Sequence, residues 1–263
     1  MEILTVKNDE FEMDYFTFGT GKQPLIILPG ISVQSVMLSA EAVAASYSCF
    51  GNTHKVWLFD RAKHLKKGCT VADMADDTAK AMKQLGLKNA DIFGTSQGGM
   101  IAMCIAVRYP ELVHKLVLGS TAARLNEECS AVLGNWVSLA DECQTVKLNR
   151  DISEKVYSPS FYEKYMDYFK MTENNGSPQE LKRFSAMAGA AVGFDIYNEL
   201  DRINCPALVI GAEEDKVVSG RASEEIAEKL SHVKYWPLNG TTLKVTAPFA
   251  YKELLPYISN PES

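Results

Sequence analysis

Residues 90–110, ADIFGTSQGGMIAMCIAVRYP, constrain this chain more than any other stretch. An apolar pair, Ile92-Phe93, reads as a short buried strand. It runs into Gly94-Thr95-Ser96-Gln97-Gly98 and then into an apolar run too long for a strand. A strand, a sharp turn with serine at its apex and a buried helix make a nucleophile elbow, G-x-S-x-G. Such a turn forces Ser96 into a strained backbone conformation. Side chains two residues to either side would collide with strand and helix, and Gly94 and Gly98 remove them. Gly99 lets the helix pack closely. Ser96 then stands at a helix N-terminus, where unpaired N–H groups favour developing negative charge.

Around this element the chain alternates strands and helices. Residues 2–7 and 11–18 alternate apolar and polar, which predicts an antiparallel hairpin. QPLIILPG is a continuous apolar run ended by Pro29-Gly30, the pattern of a central strand. SVMLSAEAVAASYS has helical spacing through Val36, Val43 and Tyr47, and KVWLFD is another strand. TVADMADDTAKAMKQLG predicts a helix with Thr70 as N-cap, Met74, Ala75, Thr78, Met82 and Leu85 on its apolar side, and Gly86 as stop. HKLVLGS follows the elbow as a strand. From 121 to 203 no strand pattern occurs. Helical patterns appear in SAVLGNWVSLADEC, SPSFYEKYMDYFKM and PQELKRFSAMAGA. Alternation resumes with PALVIG, GRASEEIAEKLS, VKYWPL and a last helix, APFAYKELLPYI. Strands spaced by helices imply βαβ units and a mostly parallel sheet.

The elbow in this setting resembles the α/β-hydrolase family, and the resemblance covers nearly the whole chain. It implies an α/β-hydrolase fold: a mostly parallel central sheet flanked by helices, with an inserted helical cap. Residues 1–120 and 204–263 would form the core and 121–203 the cap. Ser96 takes the nucleophile position. Ile31, after Pro29-Gly30, and Gln97 match the positions whose backbone N–H groups form the oxyanion hole. Many relatives have His at the place of Pro29. In GAEEDKVV, Gly211 and Asp215 match the family's acid loop. The base normally follows the last strand in a Gly-His pair, but here the chain reads Asn239-Gly240-Thr241, with Ala247-Pro248 fixing the register. Thr241 occupies the histidine position, and a threonine hydroxyl cannot take a proton near neutral pH.

Four histidines could replace the missing base. His114 and His232 fall at strand starts, far from Ser96, and read as surface residues; His54 also precedes its strand. His64, in DRAKHLKKG, follows a strand and is the one candidate for the active rim, beside the basic residues Lys63, Lys66 and Lys67. The resemblance therefore implies either a serine hydrolase of small ester or acyl substrates with an incomplete triad, or a pseudo-hydrolase that binds a small ligand, as plant gibberellin receptors of this fold do. The aromatics Trp136, Tyr157, Phe161, Tyr165, Phe169 and Phe184 serve either packing of the cap or substrate contact.

A net charge of −6 and no basic cluster set among aromatics argue against nucleic acid as a partner. No stretch is long and apolar enough to span a membrane, and acidic residues stand where a signal peptide needs basic ones, so a cytoplasmic location is expected. Six cysteines without C-x-x-C or histidine spacing predict neither a metal site nor a disulfide framework. No cofactor or metal is implied. Oligomeric state and substrate identity have no readable signal.

Overall fold

The computed structural model describes residues 1–238. Its centre is an eight-stranded sheet: β1 (Leu4–Lys7), β2 (Glu12–Phe18), β3 (Gln23–Leu28), β4 (His54–Ala62), β5 (Ala90–Thr95), β6 (Val113–Gly119), β7 (Ala207–Ala212) and β8 (Val233–Leu238). They lie in the order β1-β2-β4-β3-β5-β6-β7-β8. The predicted hairpin is present: β1 and β2 pair antiparallel, as do β2 and β4, and every other neighbour pair is parallel. The parallel strands alternate their apolar side chains between two cores, Leu25 and Ile27 on one face and Ile26 and Leu28 on the other. Helix α1 (Ala40–Ser46) covers the first face with Ala40 and Ala44. Helices α2 (Val71–Gln84) and α3 (Gln97–Arg108) cover the second.

Local sequence accounts for these helices. Thr70 caps α2 by accepting from the Asp73 N–H, and Asp73 accepts in return from the Thr70 N–H. Met74, Ala75, Thr78 and Met82 are buried beneath it as the spacing predicts, and Gly86 ends it at φ 72°. Every residue of α3 from Gln97 to Val107 is buried, which is why its sequence shows no polar face.

Between β6 and β7 stand five helices: α4 (Glu127–Asp141), α5 (Thr145–Val156), α6 (Pro159–Lys164), α7 (Met166–Thr172) and α8 (Pro178–Ala191); α9 (Gly220–Lys229) follows β7. Helix α5 lies outside the three helical patterns of the sequence; it is strongly amphipathic but buries Leu148 alone. The helix read across SPSFYEKYMDYFKM breaks at Tyr165 into α6 and α7. The segment Val36–Met37-Leu38-Ser39 is a 3-10 turn that leads into α1 rather than its first helical turn. The last predicted helix lies outside the described residues, and no described helix is long and apolar enough to cross a membrane.

Candidate active site

Because β3, β5, β6 and β7 are parallel, the segments that follow them gather at one edge of the sheet. Pro29-Gly30-Ile31 follows β3, Ser96 follows β5, Ser120 follows β6 and Asp215 follows β7. Ser96 has φ 53° and ψ −124°, the conformation a type II′ turn demands at its first central position and that glycine dominates. Four hydrogen bonds hold it there. Its N–H donates to Gly119 O at 2.9 Å. Its carbonyl accepts from Gly99 N at 2.9 Å, Met100 N at 3.2 Å and Thr121 Oγ1 at 2.6 Å.

The two elbow glycines are required by contact. A Cβ on Gly94 would run into the backbone of Gly98 and Gly99, and one on Gly98 into the carbonyls of Leu28 and Pro29. The close packing enabled by Gly99 is against the Thr121 side chain, which holds Ser96 in turn. Gly30 lies directly against the serine: a Cβ there would stand 3.3 Å from Ser96 Cβ and 3.8 Å from its Oγ.

Ser96, Gly30, Ile31, Ser120 and Asp215 line one cavity of about 60 Å³, closed by Trp136 of α4 and by Ile152 and Val156 of α5. The structure thus brings Ser96 and Asp215 to one cavity. Both the Val217 N–H (2.8 Å) and the Val218 N–H (3.0 Å) donate to Asp215 Oδ1. Burial nevertheless pushes the Asp215 carboxyl above the ordinary aspartate range, against the downward pull of those two bonds. Near it, burial drives the Cys129 thiol up to about 11, with the Asp215 charge adding, so this thiol is protonated near neutral pH and is no rival nucleophile.

Gln97 opens α3, so its backbone N–H belongs to the unpaired first turn beside Ser96. Its side chain points elsewhere: Nε2 donates to Met187 O at 2.5 Å in α8, tying the elbow to the inserted helices. A second tie joins α8 to the sheet. Arg183 of α8 donates to Asp60 Oδ1 (2.8 Å) and Arg61 O (3.0 Å) at the end of β4. Asp60 also accepts from Ser35 Oγ at 2.6 Å, and Arg61 Nη2 donates to Pro29 O at 2.5 Å. Burial lowers the Arg61 pKa to about 10, still charged near neutrality. This buried arginine ties the loop that carries Ile31 to the end of β4. The only sequence signal was Asp60-Arg61 falling at a strand end.

The histidines are redistributed. His54 is the first residue of β4 and is buried, with Nε2 3.1 Å from Asp91 Oδ2. His114 is half-buried rather than on the surface, with Nδ1 2.7 Å from Asp91 Oδ1. Both stand at the amino ends of strands, opposite Ser96. A carboxylate on β5 that the sequence left unnoticed draws them inward. His232 is exposed before β8, and His64 is exposed after β4 and lines neither the Ser96 cavity nor the cleft beside it. Thr241 lies outside the described residues. Among the described residues, no histidine lines the Ser96 cavity, and no group of three His, Cys, Asp or Glu side chains could hold a metal ion.

The sequence profile of the alpha/beta hydrolase fold matches residues 24–241. The chain belongs to the α/β-hydrolase family. RutD of Caulobacter sp. (strain K31), which bears a provisional carbamate hydrolase name, is 25% identical over 201 residues, covering 72% of each chain. 3-Oxoadipate enol-lactonase 2 of Acinetobacter baylyi is 20% identical over 237 residues, 87% of this chain and 85% of that one. The crystal structure of the enol-lactonase from Burkholderia xenovorans LB400 superposes with a TM-score of 0.85 at 20% identity, over 98% of this chain and all of that one. These α/β hydrolases share the fold of this chain, and those two relatives are named for hydrolytic reactions.

Proposed function

We propose that this protein is a serine hydrolase of small ester or acyl substrates, working slowly because its triad lacks the histidine. Ser96 Oγ adds to the acyl carbonyl carbon while the Ile31 and Gln97 N–H groups receive the oxyanion. The serine proton leaves through water to the departing oxygen, and water then hydrolyses the acyl-serine ester. Asp215 is the group that orients a histidine in complete triads, and the sequence has Thr241 at that histidine's position. The single observation that carries the reading is the strained, fourfold-anchored Ser96 sharing a cavity with Asp215. A turn held in a costly conformation is the kind of feature a fold keeps for chemistry. Without a base, rate enhancement falls to the part that comes from oxyanion stabilisation and binding, of order 10³–10⁴ over water. The helices of residues 121–203 serve as a cap: Trp136 closes the Ser96 cavity, and Tyr157 and Phe169 wall the adjoining cleft. Phe161 and Tyr165 stack in an aromatic cluster with them, and Phe184 packs on Trp136 in the core.

A second reading, a ligand-binding pseudo-hydrolase, is favoured by one observation: among the described residues no imidazole lines the cavity. Hydrolysis of p-nitrophenyl acetate and butyrate by the wild type and Ser96→Ala separates the two. Slow turnover lost in Ser96→Ala supports the hydrolase. Equal rates in both proteins overturn it in favour of binding.

A further inference from the structure

The cavity at Ser96 is small, about 60 Å³, and it adjoins a cleft of about 600 Å³. The two share Gly30, Ile31, Thr95, Ile152 and Val156 as walls, so a molecule with its reacting carbonyl at Ser96 has one short side and one long one. Away from the serine, the long side runs between the segment around Val36 and Leu38 and the aromatic pair Tyr157 and Phe169. At its mouth Leu38 and Tyr168 are 70% and 63% exposed, large apolar surface left open to solvent at an entrance. The charged groups on these described walls are both acids. Asp215 lines the Ser96 cavity, and Glu173, which lines only the cleft, is paired with Arg150 at 3.0 Å. The Asn149 amide nitrogen there already donates to Glu173 O and Asn175 O, both at 2.9 Å.

From this we propose that the site takes neutral esters or lactones with a small group on one side of the carbonyl and an extended apolar chain on the other, and rejects substrates whose chain ends in a carboxylate. The proposal rests on Ser96 being the acyl-accepting group and adds the substrate class. Burying methylenes in the cleft supplies affinity. A chain-end carboxylate would instead be stripped of water among apolar walls beside acids, with no Lys or Arg on the described lining to pair it.

The test uses two independent readouts. Binding of straight-chain methyl ketones, which mimic methyl esters but cannot be cleaved, is followed on Ser96→Ala by ligand-observed NMR. Hydrolysis of methyl butanoate, hexanoate and octanoate, and of monomethyl adipate, is followed on the wild type in a pH-stat. Affinity and kcat/KM are expected to rise roughly threefold per added methylene until the cleft is filled. Monomethyl adipate is expected to react at least tenfold more slowly than methyl hexanoate. Val156→Lys, which places a cation on the shared wall, is expected to shrink that preference at least tenfold. If that variant does not fold, the chain series alone decides. Ketones that bind with the expected chain dependence while no ester is hydrolysed uphold the ligand class and overturn the hydrolase reading. Ser96-dependent hydrolysis that is indifferent to chain length, or equal for the adipate half-ester, overturns the ligand class and leaves the hydrolase standing.

Discussion

Replacing Ser96 by glycine and by alanine isolates the strain on which the elbow rests. Both substitutions remove the hydroxyl. Alanine keeps the Cβ in a conformation of φ 53° and ψ −124°, whereas glycine removes it. A non-glycine residue held in so sparsely populated a region costs of order 1–3 kcal/mol, here taken as about 2. Glycine gives back about 0.75 kcal/mol of that through the greater freedom of its unfolded chain. The four hydrogen bonds at residue 96 engage only its own backbone N–H and C=O, so they survive in both variants. Ser96→Gly is therefore expected to be more stable than Ser96→Ala by about 1 kcal/mol. In a chain of this size that is roughly 2–4 °C in Tm. Calorimetry and urea unfolding at neutral pH measure the difference. Equal stability, or an alanine variant more stable than the glycine one, refutes the claim that the side chain at residue 96 is held under strain.

Three further outcomes follow from the same geometry. Gly98→Ala puts a methyl group into the Leu28 and Pro29 carbonyls, backbone that cannot swing aside, and is expected to destabilise by at least about 1–3 kcal/mol in urea unfolding. Arg183→Met strips Asp60 of its ion pair between helix α8 and the end of β4. Asp60 keeps Ser35 Oγ and the Arg61 N–H, so the loss is expected near the low end of the range for a broken buried pair, about 3 kcal/mol by thermal unfolding. Asp215 has a raised folded pKa, so its contribution to stability is complete below the unfolded aspartate value, about 3.9, and is lost as pH rises through the folded value. Since both backbone donors meet Oδ1, Asp215→Asn keeps them and lacks the ionisation. Urea midpoints should turn in favour of the variant as pH rises through the acid range, and a gap independent of pH would contradict the burial effect.

The elbow, the alternation of strands and helices and the carboxyl end of the strands where the candidate site forms were legible because each rests on local pattern. Gly94-Thr95-Ser96-Gln97-Gly98 between strand and helix admits few other structures, and Thr70 as N-cap marks its helix by residue type alone. What was not legible depends on partners distant in sequence. His54 and His114 read as surface or strand-flanking residues until Asp91, between them in the sheet, draws them inward. Arg183 meets Asp60 across more than a hundred residues, and Arg61 reaches back to Pro29. Helix α5 escaped notice because it is largely solvated, yet it supplies Ile152 and Val156 to both cavities. Its role comes from where the fold sets it down, and periodicity carries no trace of that.

In the proposed reading the elbow, the loop carrying Ile31 and Asp215 form a hydrolase frame lacking one group. Thr241→His tests it most directly, measured as kcat/KM on p-nitrophenyl butyrate beside the wild type and the double variant Ser96→Ala/Thr241→His. A positioned general base contributes of order 10²–10⁴-fold, so the single variant is expected to gain within that range and the double variant to lose the whole gain. No gain, or a gain that survives without the Ser96 hydroxyl, would contradict the account.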